Sequence, residues 1–104
     1  MDPLRDDAAR AVRAAGLVRV LAHPARLRLL AALCEDDRTE AELAAQLRLD
    51  PGAIRRHLAP LEAAGLVGRS SPPAGADPAA APAFRIAEPA LHGLVACMEE
   101  CSKR

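Results

Sequence analysis

Cys97 and Cys101 stand four residues apart near the end of the sequence. On a helix that spacing makes them neighbours on one face, with about 5–6 Å between Cβ atoms. A disulfide wants about 3.8 Å, so the pair is better suited to closing two thiolates on one soft ion. Cys34 is the third cysteine. It would supply a third thiolate to the same soft-ion site, or else be a small core residue, the commoner fate of a lone helical cysteine. An odd number of thiols argues against a disulfide framework and for metal, redox or packing roles. The second cluster is basic: Arg55-Arg56-His57, with Arg69 beyond it. Across residues 51–69 these arginines face only Glu62, whereas Asp2, Asp6, Asp7, Glu35, Asp36, Asp37, Glu99 and Glu100 lie elsewhere. Lys plus Arg and Asp plus Glu both number 14, so charge is segregated rather than absent, and the local field is what a polyanion meets. Glu88 and His92 are one helical turn apart without further ligands, which makes His92 a surface histidine. There is no C-x-x-C, no catalytic triad and no phosphate loop, and no enzyme is expected.

The basic cluster is positioned by Thr39 to Val67, TEAELAAQLRLDPGAIRRHLAPLEAAGLV. Thr39 and Glu42 have the spacing of a capping box. Leu43 and Leu47 are one turn apart with Ala44 beside them, and Leu49 fills the corner that follows. A second helix opens with Asp50 as N-cap and Pro51 at its first position, where the missing N–H costs nothing. Ile54, Leu58 and Leu61 make its apolar stripe, and Gly65 ends it as a C′ residue. Two helices joined by a few residues are one signature of a DNA-binding helix-turn-helix. Pro60 lies inside the second helix, where it removes a hydrogen bond to the Arg56 carbonyl and predicts a kink or loosened turn between the two.

The run ELAAQLRLDPGAIRRHLAPLEAAGLV resembles the helix-turn-helix of the ArsR/SmtB family of bacterial winged-helix repressors. Upstream, LAHPARLRLLAAL (Leu21 to Leu33) is similar to the same family's segment of a polar residue, Pro, x, Arg and an apolar helix. The resemblance covers roughly Leu17 to Ile86. It implies a homodimer formed by the first and last helices, bound to double-stranded operator DNA. It also carries DNA contact onto Gly52, Ala53, Arg55, Arg56, His57 and Arg69. Arg55 or Arg56 would make bidentate contact to guanine O6 and N7, and His57 would meet a phosphate or base edge. Many relatives bind a soft metal or arsenite through Cys-x-Cys at the start of the first of these helices; here those positions are Thr39 and Ala41. The Asp and His pairs of other relatives are missing from the last helix too. Relatives with inducer cysteines on terminal helices direct attention to Cys97 and Cys101, with Cys34 as a further ligand. The trigger is then As(III), Sb(III) or another soft metal ion. Thiol oxidation, including a dithiol switch from Cys34 to Cys97 or Cys101, stays open, as does a winged-helix protein-interaction module without specific DNA binding.

The remaining elements complete a mainly α, winged helix-turn-helix domain over residues 1–104: about five helices and a two-stranded β-wing. Asp2-Pro3 opens a first helix to about Leu21, with Leu4, Ala8, Ala11, Ala15, Val18 and Leu21 at helical spacing. Pro24 breaks it. Leu27, Leu30, Ala31 and Cys34 line a second helix, and Glu35 to Arg38 is a polar connection with no room for a strand. The helix-turn-helix spans 39–65 and the wing about 66–87, where 66–70 pairs with Phe84-Arg85-Ile86. Between them Ser71 to Pro82, rich in proline, reads as an extended, mobile loop. A last helix over about 88–102 shows Leu91, Leu94, Val95 and Met98, for a dimer partner or for its own domain. Phe84 is the only aromatic residue, poor material for a large sheet. No stretch nears the roughly 20 apolar residues of a membrane span and no signal peptide opens the chain, so a cytoplasmic location is expected.

Overall fold

Pro24 both ends one helix and begins the next, because a proline is tolerated at a helix's first position and not inside it. The helix it begins is the hub of a computed structural model that describes residues 3–70, 75 and 81–104. In chain order the elements are α1 (Pro3–Asp6), α2 (Ala8–Leu21), α3 (Pro24–Glu35), β1 (Arg38–Thr39), α4 (Glu40–Leu47), α5 (Pro51–Ala63), β2 (Val67–Ser70), β3 (Ala83–Ile86) and α6 (Ala90–Ser102). Helix α3 packs against α4, α5, α6 and β3. Its Leu29, Leu30, Ala32 and Leu33 are buried, while Leu27, Ala31 and Cys34 are half-buried at the edge of the core. The single stripe of Leu27, Leu30, Ala31 and Cys34 read from periodicity is therefore too narrow: a helix surrounded on several sides is apolar most of the way round.

Two other expectations change. The first helix is two helices, broken at Asp7. Its carboxylate accepts the amides of Ala9 and Arg10 at 3.0 and 3.2 Å, so Asp7 caps α2 rather than continuing α1. The connection after α3 does hold a strand, β1. Arg38 pairs with Phe84 and Thr39 with Ala83, making an antiparallel sheet in the order β1-β3-β2. Two residues suffice because Thr39 then serves as the N-cap of α4. The wing pairing itself is as expected, with Val67 opposite Ile86 and Arg69 opposite Phe84. Of the proline-rich loop, residues 71–74 and 76–80 lie outside the described residues.

Leu29, Leu30, Leu43, Ile54, Leu58 and Leu61 form the fully buried centre, closed at the sheet by Leu66, Val67 and Phe84. Helix α6 covers one side: Leu91 and Val95 are buried against α3 and Met98 is half-buried, while Leu94 stays exposed. Its apolar stripe thus divides between its own domain and the surface. Helix α2 buries only Leu21. It projects from the core, and the radius of gyration is 15.3 Å, against about 13 Å for a compact chain of about 100 residues.

Candidate nucleic-acid interface

Capping residues fix the two helices that present the basic cluster. The Thr39 hydroxyl accepts the Glu42 amide at 3.2 Å and the Glu42 carboxylate accepts the Thr39 amide at 2.9 Å, a complete capping box. These bonds hold the Glu42 carboxyl below its ordinary pKa. Helix α4 ends where Arg48 adopts φ 56°, and the Leu49 amide reaches back to the Ala44 carbonyl at 3.1 Å. Arg28 of α3 then donates to the Leu47 carbonyl at 2.8 Å, tying the turn to the hub helix. Arg26 does the same for α2 through the Val20 carbonyl at 2.9 Å. Unpaired carbonyls at a helix end attract such donors; Arg26 is the arginine of the Pro-x-Arg segment, whereas no motif in the sequence marks out Arg28.

Asp50 caps α5 by accepting the Gly52 amide at 2.9 Å. A Cβ at Gly52 would stand 2.8 Å from the Asp50 carboxylate, so this glycine has a local role in the cap as well as its expected place at the interface. At the other end Leu66 donates to Leu61 and Gly65 to Glu62, both at 3.0 Å, with Gly65 at φ 75°. That is a Schellman motif, and only glycine takes its C′ position without strain. Helix α5 runs through Pro60 without interruption. The proline has no N–H to give Arg56, but helical packing by Leu58 and Leu61 on either side holds the segment in register.

The candidate DNA-contact residues divide by environment. Arg56 is exposed on α5 and makes no ion pair or hydrogen bond among the described residues. Ala53 is half-buried beside it. Arg55 is engaged by Glu40, at 3.0 Å and 3.4 Å. Arg69 lies 3.3 Å from the Glu62 carboxylate, with its guanidinium 5.2 Å from the centre of the Phe84 ring. His57 lies against another histidine. It is half-buried, its ring 4.3 Å from that of His23, and its Nδ1 is buried with no partner among the described residues. Burial and the neighbouring His23, Arg26 and Arg56 hold its pKa down. His23 Nδ1 already accepts the Ala25 amide at 3.1 Å as N-cap of α3, so the two rings meet where α5 approaches the start of α3, and His57 is half-buried there.

The cysteines separate as well. At about 100° per residue, Leu91, Val95 and Met98 point α6 inward, which puts Cys97 and Cys101 on the flank occupied by Leu94; both thiols are exposed. Cys34 is half-buried on α3, and burial together with Glu99 raises its thiol pKa. Among the described residues no three His, Cys, Asp or Glu side chains form a group able to hold a metal ion. The expected joining of Cys34 to Cys97 and Cys101 is therefore not made within one protomer, because Cys34 lies on the core side and the pair faces away.

A family model for the bacterial regulatory proteins of the arsR family matches residues 23–68. No curated protein sequence matches the chain. Among solved structures, reduced HlyU from Vibrio cholerae is similar at 21% identity with a TM-score of 0.79, covering 94% of this chain and 97% of its own. The transcriptional repressor BigR from Xylella fastidiosa is similar at 24% identity and 0.75, covering 96% and 95%. The homodimeric winged helix-turn-helix domain of Mb0332 from Mycobacterium bovis is similar at 20% identity and 0.75, covering 99% and 88%. Residues 23–68 are thus similar to the arsR-family regulatory proteins, and the chain as a whole has the winged helix-turn-helix fold.

Proposed function

We propose that the protein is a homodimeric DNA-binding repressor that leaves its operator when an inducer engages Cys97 and Cys101. The observation that carries the DNA reading is Arg56: a guanidinium exposed on the second helix of a helix-turn-helix similar to that of the arsR family, with no protein partner among the described residues. Such a group is geometrically suited to guanine O6 and N7 in the major groove. Dimerisation is supported by α2, whose Val12, Leu17 and Val18 are exposed together with Leu94 of α6. A helix of this length is marginal alone in water, and the similar Mb0332 domain is described as homodimeric. Two-fold symmetry would offer two recognition helices to half-sites about 34 Å apart.

For the inducer, the donor set is two exposed thiols on one helical face, beside the surface proposed to dimerise. They suit a soft ion such as As(III) or Sb(III), with the rest of its coordination coming from outside the protomer. An ion there would bias the dimer between arrangements that do and do not fit the operator. Oxidation of the same thiols is the second reading, favoured by the similarity to HlyU, whose solved form is described as reduced. Among the described residues no helix is long and apolar enough to cross a membrane, and DNA binding would place the protein in the cytoplasm.

A gel shift with the gene's own upstream DNA, repeated with Arg56→Ala, tests the DNA reading. Wild-type binding lost in the variant is expected. No wild-type binding at low salt would favour a protein-interaction module instead. Operator release is then measured against arsenite, antimonite, zinc, cadmium and a peroxide, with Cys97→Ser alongside. A Cys97→Ser protein that responds like wild type would sink the sensing site.

A further inference from the structure

Both arginines beside the cleft between α5 and the wing are already occupied. The cleft, about 570 Å³, is lined by Glu40, Arg55, Glu62 and Arg69 together with Leu58 and Phe84. Glu40 holds Arg55 and Glu62 holds Arg69. The partners are unequal: the carboxylate side chains are 23% and 29% exposed, the arginine side chains 77% and 58%. The acids are the seated members and the arginines are the ones able to swing outward. Glu40 is seated by the fold, since it is the first residue of α4 after the Thr39 cap, where the helix dipole favours a carboxylate. Glu62 is seated on α5 opposite β2.

We propose that Glu40 and Glu62 are specificity-determining residues of the DNA interface, holding Arg55 and Arg69 in neutral pairs that random-sequence DNA does not open. The inference rests on the DNA-binding function proposed above. Affinity for any duplex comes largely from cations that neutralise phosphates and release counterions, with a slope of about −0.9 in log K against log salt for each phosphate neutralised. A neutral pair contributes almost nothing to that slope. When its arginine leaves for a phosphate, a carboxylate is left facing the same polyanion, and the exchange gains little. Only a site that adds base-edge contacts offsets the loss. Arg56, which has no carboxylate partner among the described residues, would then supply encounter with any sequence, and the two held arginines would respond to the right one.

The test uses full-length Glu40→Gln, Glu62→Gln and the double variant. Their affinities are measured by fluorescence anisotropy on a labelled duplex of the upstream region and on a scrambled duplex of the same length, across a salt titration. The expected result is several-fold tighter binding of the scrambled duplex per variant, a slope steeper by about one per carboxylate removed, and a lower ratio of specific to random affinity. Glu100→Gln opens the exposed Glu100–Lys103 pair at the end of α6 and makes the same change in net charge; its slope should match wild type. An unchanged slope in the Glu40 and Glu62 variants, equal tightening on both duplexes, or an equal effect of Glu100→Gln would overturn the proposal. Wild-type protein that binds neither duplex overturns the DNA reading and this inference with it. Wild-type binding with unaltered variants overturns the inference alone.

Discussion

Replacing Val18 by aspartate should convert the proposed dimer to monomers. Val18 is 62% exposed in the single chain and sits between Leu17 and the half-buried Val20 on a helix with almost no core of its own. Complete burial of a valine side chain contributes about 1.5 kcal/mol, so covering the part still exposed contributes about 1 kcal/mol per protomer. Two-fold symmetry presents the residue twice, once from each subunit, giving about 2 kcal/mol per dimer. Aspartate forfeits that and adds a carboxylate to be desolvated. The dimer dissociation constant should therefore rise at least about 30-fold. Sedimentation velocity over a concentration series measures it directly. Far-ultraviolet circular dichroism should report some lost helix at concentrations where the variant is monomeric, because α2 then has no partner. A Val18→Asp protein with an unchanged dissociation constant would refute α2 as the interface, and with it the reason given for the exposed Val12 and Leu17.

Pro60→Ala should raise stability by about 1–2 kcal/mol, since an interior proline costs about 3 kcal/mol in a helix and its stiffening of the unfolded chain returns only about 1 kcal/mol. A lower midpoint in urea would show that the half-buried ring packs better than the restored hydrogen bond compensates. His57 has its pKa lowered in the fold, so the unfolded chain binds a proton first as the solution is acidified. Stability should fall as pH drops below the ordinary histidine value of 6.5 and stop falling once the folded form also protonates. His57→Gln should flatten that dependence in urea titrations at several pH values, and an unaltered slope would mean that another group carries it. Iodoacetamide at mildly alkaline pH should label Cys97 and Cys101 before Cys34, whose thiol is half-buried and raised in pKa. Mass spectrometry gives the order, and early labelling of Cys34 would contradict its placement beside Glu99.

Where local chemistry decides the structure, the sequence was enough. Thr39 with Glu42, Asp50 with Pro51 and Gly65 each specify a helix end through bonds to residues two to five positions away, and Ile54, Leu58 and Leu61 repeat on one face because a helix repeats. What was not legible depends on distant partners. Strand β1 exists because Phe84 and Ala83 return to pair with Arg38 and Thr39, which two residues of polar sequence cannot announce. The broad burial of α3 follows from being surrounded by α4, α5, α6 and β3, a fact of topology. Asp7 is the local exception: a capping signal inside an apolar periodicity, where the cap prevailed.

The site follows the same division, with a consequence for how a neutral chain would bind a polyanion. Arg55, Arg56 and Arg69 look alike in the sequence, three cations near one acid. In the fold Glu62 is seven residues from Arg69 and Glu40 is 15 from Arg55, and each acid takes an arginine out of the free field. His57 is half-buried against His23. Of four basic groups expected to meet DNA, Arg56 alone lacks a protein partner among the described residues. Zero net charge is then consistent with a DNA-binding surface whose cations are paired until the right sequence competes for them. The salt dependence of binding, rather than its strength at one salt concentration, is where that pairing becomes measurable.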